Sequence, residues 1–257
     1  MAWAAFPYPE AAYRHTAVSL KKAWPRLHVG DVESLPKNPA LIEAWIAFHQ
    51  GDFEYAAMLG LAEGMTGFSV ANKATCMVAT YLEKSAANKH RAFQQVAKRC
   101  ETQQAEQPKN VAGYYWHGYA LARHAQSISV LKALVQGIGG KAKNSLDTAV
   151  RLAPKHADAH IALGTFHAAI VDKVGVMLAE LTYGANKDTA YQHFNNALTL
   201  TPESAIARIE YANALARLGG KQKMDEAAAL YQAAAASAPA DAMERLDVEI
   251  AKDGLES

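Results

Sequence analysis

Ala142-Lys143-Asn144-Ser145-Leu146-Asp147-Thr148-Ala149-Val150-Arg151-Leu152-Ala153-Pro154 sets a pattern that Ala190–Pro202 and Ala227–Pro239 repeat. An alanine stands twelve residues before each proline, a bulky residue eight before it (Leu146, Phe194, Tyr231), and another alanine five before it (Ala149, Ala197, Ala234). Steps of four and three place all of them on one face of an α-helix, and the proline stops that helix just past its end. Small residues flanking a large one let a neighbouring helix approach closely and lock on a single anchor.

Counting forward from the prolines gives the next helix. Six residues after Pro108, Pro154 and Pro202 come Tyr114, His160 and Arg208, and ten after come the small residues Gly118, Gly164 and Ala212. Upstream of Pro108 the pattern is weaker, with Val96, Cys100 and Gln103 at the equivalent offsets, so Cys100 takes the anchor position.

These residues resemble the tetratricopeptide repeat (TPR) family. The resemblance runs over roughly 40–252 and is clearest over 109–239; in the first repeat only Gly51-Asp52-Phe53-Glu54-Tyr55-Ala56 fits, as a turn into a second helix, with Gly60 where an aromatic anchor belongs. It implies an all-α, TPR-like solenoid of antiparallel helix pairs, with an extra N-terminal helix and a C-terminal capping helix. The corresponding division is an N-terminal helix and Pro-rich linker (1–39), two divergent helix pairs (40–108), three TPR repeats (109–239), and a capping helix with tail (240–257).

The spacing departs from the family's. A TPR repeat has about 34 residues, whereas 46, 48 and 37 residues separate Pro108, Pro154, Pro202 and Pro239. The excess falls within 126–140 and 171–185, both rich in branched apolar residues and both containing glycine near their ends. We expect each first helix to run on past its partner, turn at Gly137–Gly140 or at Gly184, and pack its extension on the other. Such interrupted repeats also resemble the regulator-of-microtubule-dynamics type of TPR domain, through Leu181-Thr182-Tyr183-Gly184-Ala185. Outside the repeats, residues 10–24 read as an amphipathic helix with Tyr13, Ala17, Leu20 and Trp24 on one face and Pro25 as terminator. In 240–252, Met243, Leu246 and Ile250 form the apolar stripe, with Glu244, Asp247 and Lys252 away from it.

The chain has 257 residues, 51% hydrophobic, with 26 basic and 25 acidic side chains. That balance lacks the concentrated basic excess of a nucleic-acid binder. No secretory leader pattern opens the sequence, and its longest uncharged stretches have 14 residues, short of the about 20 a membrane-spanning helix needs. A cytoplasmic, bacterial protein with reduced, buried Cys76 and Cys100 is the expectation.

No phosphate loop, nucleophile elbow or HExxH motif occurs; Gly137-Ile138-Gly139-Gly140-Lys141 follows a helix and reads as a turn. His156, His160 and His167 fall within about 40° on a helical wheel, but His160 takes the inter-helix packing position and the one carboxylate at ligand spacing, Asp158, points elsewhere, so they read as packing residues. We therefore expect no metal, no cofactor and no catalytic residue. Charge is segregated: 84–109 carries a net +4 and 225–257 a net −6, which suits head-to-tail association of copies or steering of a partner.

In a TPR stack the first helix of each pair lines the concave groove. At seven, eleven and fifteen residues past the prolines this implies a groove of Tyr115, Tyr119, Arg123, Ile161, Thr165, Ile209, Asn213 and Arg217. TPR domains that clamp a terminal carboxylate use Lys and Asn at set positions, which Tyr115, Ile161 and Ile209 do not match. The function implied is a non-catalytic scaffold or adaptor that binds an unknown protein or peptide in this groove, with no nucleic acid or membrane as partner. A carrier of a small apolar ligand or acyl chain, roofed by the insertions, is the alternative.

Overall fold

The computed structural model describes residues 3–126 and 137–256, all helix, turn or loop with no β-strand among them. Its helices are α1 Ala17–Leu27, α2 Pro39–Gln50, α3 Phe53–Ala62, α4 Phe68–Met77, α5 Ala86–Glu106, α6 Val111–Gln126, α7 Ile138–Leu152, α8 Ala157–Val174, α9 Val176–Tyr183, α10 Lys187–Leu200, α11 Ala205–Leu218, α12 Met224–Ala235 and α13 Ala242–Glu256. No helix of the described residues is long and apolar enough to cross a membrane. The chain forms two units. One takes in residues up to His28, Glu33–Ala153 and Ala240–Met243; the other takes in Val29–Val32, Pro154–Pro239 and the chain from Glu244 onward.

In the first unit each helix from α2 to α7 packs on its neighbour in sequence, as short connections between helices dictate. Gly51 ends α2 in the left-handed conformation (φ 95°), and Asp52 caps α3 by accepting from the Tyr55 N–H at 3.3 Å. Gly60, where an aromatic anchor belonged, lies against the backbone of Gly67: a Cβ there would sit 2.8 Å from the Gly67 carbonyl oxygen. The chain crosses itself here at backbone contact, which leaves no room for a ring. α6 and α7 meet where Leu146, fully buried, fills the space over Gly118. Val96, Cys100 and Gln103 are buried too, at the offsets where residue type departed most from the pattern. Gln103 is accommodated because Gly113 faces it without a side chain.

In the second unit α8 packs on α10 and α11, and α11 on α12. Phe194 is 0% exposed and sits face-on to Gly164, where a Cβ would come within 2.9 Å of three ring carbons. Its other face stacks on Tyr211 at 5.2 Å. Tyr231, the third anchor, is partly buried against Gly254 of α13 and donates its hydroxyl to Asn213 Oδ1 at 2.8 Å.

The loops between repeats share a hydrogen-bond scheme beyond the proline itself. Two residues past Pro108, Pro154 and Pro202, the side chains of Asn110, His156 and Ser204 accept from the backbone N–H three residues on, capping α6, α8 and α11. Six residues past the same prolines, Tyr114, His160 and Arg208 each donate to the proline carbonyl oxygen, at 3.2, 3.1 and 2.6 Å. Three unlike side chains thus fasten one turn.

Four expectations are corrected. Residues 10–24 do not form one helix: a 3-10 turn covers Ala11–Tyr13, and α1 begins after Thr16, whose side chain and that of Ser19 form a capping box. Pro25 lies inside the last turn of α1, and Ala17 is exposed. The extended helix of the second long repeat breaks at Gly175 (φ 81°) before turning at Gly184 (φ 60°). The resulting α9 folds back on α8 through Ala179 and Tyr183. The first extension, 127–136, lies outside the described residues, and with it the expected packing of the two. On α13 the buried positions include Leu246, Val248, Ala251 and Asp247, while Ile250 is exposed. Small Ala251 lets α13 come close to Ala205 and Ala234, which turns Val248 inward in place of Ile250.

Gly164→Ala should lower stability by about 1–2 kcal/mol, because overpacking against the Phe194 ring outweighs alanine's better helix propensity of about 1 kcal/mol. Adding Phe194→Leu should recover part of that loss, a non-additivity that urea unfolding of the single and double variants will measure.

Candidate functional site

The eight groove positions divide by burial. Tyr115, Ile161 and Ile209 are buried at 5%, 6% and 3% exposure and belong to the helix-packing core. Residues seven positions past each proline therefore face a neighbouring helix, and a partner cannot reach them. In the first unit Tyr119 and Arg123 remain half-buried. The Tyr119 hydroxyl lies 2.9 Å from Thr80 Oγ1, and the Arg123 guanidinium lies over the Tyr119 ring, 5.2 Å from its centroid. Thr80 is brought there by a π-helical turn, Val78–Leu82, that continues α4; single π turns of this kind re-aim side chains. Burial, the main cause, raises the Tyr119 phenol above its ordinary range, so it stays neutral. In the second unit Thr165 donates to Glu210 at 3.3 Å, Asn213 accepts from Tyr231, and Arg217 is exposed.

The insertion helix α9 turns its apolar side chains outward: Met177 and Leu181 are each 84% exposed, with Val176 and Leu178 beside them in solvent. These side chains do not roof a cavity.

The histidines and cysteines resolve into packing roles. Cys76 and Cys100 are free and buried, and Cys100 accepts from Asn72 Nδ2 at 3.3 Å. Burial pushes the Cys76 thiol well up and that of Cys100 up to about 12, which removes thiolate reactivity. His156 is a helix cap. His160 holds the Pro154 carbonyl with Nε2 and lies 2.9 Å from His193 Nδ1 with its own Nδ1, while His167 Nδ1 accepts from the Asn186 N–H. His193, invisible to the sequence reading, joins them because α10 packs on α8. Among the described residues no group of three or more His, Cys, Asp or Glu could hold a metal ion.

The first unit also buries a polar chain that spans the sequence. Asp241 Oδ2 lies 2.6 Å from His49 Nδ1, and His49 Nε2 lies 3.2 Å from His28 Nε2. A carboxylate only accepts, so His49 carries its proton on Nδ1 and accepts with Nε2 from His28. Trp24 stacks on His28 at 3.8 Å, and buried Lys73 lies 5.7 Å from the Trp45 ring centroid and 5.3 Å from that of Phe48. His49 is 0% exposed and Asp241 2%, so the triad-like order Asp–His–His has no face toward a substrate. No sequence periodicity links positions 192 residues apart.

Burial, the largest cause, lowers the His49 imidazole below its ordinary pKa despite Asp241, and burial likewise lowers His15 and His117. A histidine held neutral in the fold but free to protonate when unfolded contributes stability that is present above about pH 6.5 and lost below it. The thermal midpoint should fall as pH drops from about 6.5 toward 5. Asp241→Ala should cost about 2–3 kcal/mol at neutral pH, because it strands the buried His49 N–H, a loss that denaturant titration will read.

Of the acids in 225–257, Asp241 and Asp247 are buried, Glu226 pairs with Lys223 at 2.5 Å, and Glu249 pairs with Arg245 and Lys252 at 2.9 and 2.8 Å. The surface charge there is smaller than the sequence count suggests, with Asp225, Asp253 and Glu256 left exposed.

No protein-family model matches the chain, and no curated protein does. Among solved structures, a thermophilic TPR protein of Thermus thermophilus is similar, with a TM-score of 0.58 at 20% identity, covering 83% of this chain and 97% of that one. The likeness is one of fold, and nothing in it bears on the regulator-of-microtubule-dynamics type of repeat. The chain has an all-α, TPR-like fold.

Proposed function

We propose that this chain is a non-catalytic protein-interaction scaffold, and that Tyr119 and Arg123 of the first unit contact a polypeptide partner. The reading rests on one observation above others: the side chains with catalytic chemistry are consumed in packing, whereas these two groove positions are only half-buried. His49, Asp241, Cys76 and Cys100 are each 2% exposed or less, so none can meet a substrate. Tyrosine and arginine are the residue types that most often dominate binding energy at interfaces, through large contact area and directional hydrogen bonds. The helix pairing and the likeness to a TPR protein over most of the chain support the same class of activity. A place in a bacterial cytoplasm is part of this proposal.

A photo-crosslinking residue at position 123, with the full chain expressed in its native cell, should trap a discrete protein partner. Arg123→Glu should abolish retention of that partner in a pull-down while the thermal midpoint moves by only a few degrees. If Arg123→Glu and wild type retain it equally, this surface is not the binding site.

A further inference from the structure

α5 and the residues flanking it, 84–109, carry a net charge of +4 that salt bridges among the described residues do not neutralise. Arg91 and Lys98 on α5 and Lys84 and Lys109 beside it are exposed, and Lys89 and Arg99 on α5 are half-buried; among the described residues none of the six forms a salt bridge, and Lys89 acts electrostatically on the Glu83 carboxylate. Glu101, one of two acids in this stretch, lies 3.6 Å from His117. Arg91, Gln95, Lys98 and Thr102 follow one another at helical spacing as an exposed polar stripe, with Gln94 at its edge.

Arg99 differs from the others because it is anchored. Its Nε donates to Asn72 Oδ1 at 2.8 Å and one Nη to Thr75 Oγ1 at 3.2 Å, both from α4 and both buried and neutral. Two of the five guanidinium donors are used, and the fork is held in one orientation. Beneath it lie the buried thiols of Cys76 and Cys100, which stay neutral and supply no counter-charge. A partly buried, preoriented guanidinium with no salt-bridge partner is suited to bind a carboxylate in bidentate fashion.

We propose that α5 is a docking surface for an acidic polypeptide segment, with Arg99 as the anchor for one side-chain carboxylate and Arg91 and Lys98 balancing its neighbours. This surface lies on a different helix from Tyr119 and Arg123 and stands independently of the role given to them. The face argues for polypeptide over other polyanions. Phe93 is buried and the half-buried His90 ring already lies against His124 at 4.2 Å, so α5 offers no free aromatic ring for base stacking. Val96 is buried as well, so no large apolar side chain projects from α5 into a bilayer. The chain's own acidic run is the weaker occupant, because four of its eight carboxylates, those of Glu226, Asp241, Asp247 and Glu249, are buried or paired.

Fluorescence anisotropy of the full chain with a labelled Glu-Ser repeat peptide of about 12 residues tests this. A Gln-Ser peptide and an oligouridylate of equal length serve as comparisons. The Glu peptide should bind saturably, at least about tenfold tighter than the Gln peptide, and weaken as salt rises. Arg99→Lys, which keeps the charge but loses the fork, should weaken binding about fivefold or more. The surface double variant Arg91→Gln/Lys98→Gln should weaken it about tenfold and decides the matter if Arg99→Lys fails to fold. Equal binding of the Glu and Gln peptides, tighter binding of the oligouridylate, or unchanged affinity in either folded variant overturns the proposal.

Discussion

A bulky side chain seated on a glycine of the facing helix is the contact on which this fold depends. Leu146 over Gly118 and Phe194 over Gly164 bring helix backbones close enough that a single added methyl group has nowhere to go. Each anchor removes about 2–3 kcal/mol worth of apolar surface from water, and the close approach multiplies dispersion contacts along the flanking alanines. A glycine inside a helix costs about 1 kcal/mol in propensity, so its presence at both crossings marks positions where packing outweighs local preference. Gln103 facing Gly113 shows the same constraint from the other side: a larger residue is tolerated where its neighbour shrinks.

The loops impose a second constraint, because a helix crossing is useful only if the chain leaves one helix and starts the next in a fixed direction. Proline stops the first helix, and a cap two residues on satisfies an open N–H of the next. A donor six residues on closes the turn onto the proline carbonyl. Tyrosine, histidine and arginine serve equally as that donor. The requirement is a long side chain with an N–H or O–H at its end, and no one residue type.

The interior then carries polar groups that the repeat does not require. Asp241, His49 and His28 form a continuous buried chain, and the thiols of Cys76 and Cys100 sit beneath Arg99. Buried polar groups stabilise only when fully partnered and are costly otherwise. Those in the first unit are packed away from any substrate, so the surfaces proposed for binding are built from less buried chemistry: Tyr119 and Arg123 on α6, and the cations on and beside α5.

Helices, anchors and inter-repeat turns were legible in the sequence, since each depends on neighbours three, four or a few residues away and so leaves a period or an offset. Leu146, Phe194 and the role of Cys100 are readable for that reason. Burial of the groove positions was not, because whether Tyr115, Ile161 or Ile209 meets solvent depends on how far one helix rotates against another. Nor were His193 beside His160, Asp241 beside His49, or Arg99 fastened to Asn72 and Thr75, whose partners lie on different helices. The sequence by itself determined an all-helical chain of paired segments closed by proline turns, because those features are local. Only tertiary structure decided which charges are neutralised and which surface stays open, because electrostatic pairing and burial are set by distances between elements that sequence spacing does not encode.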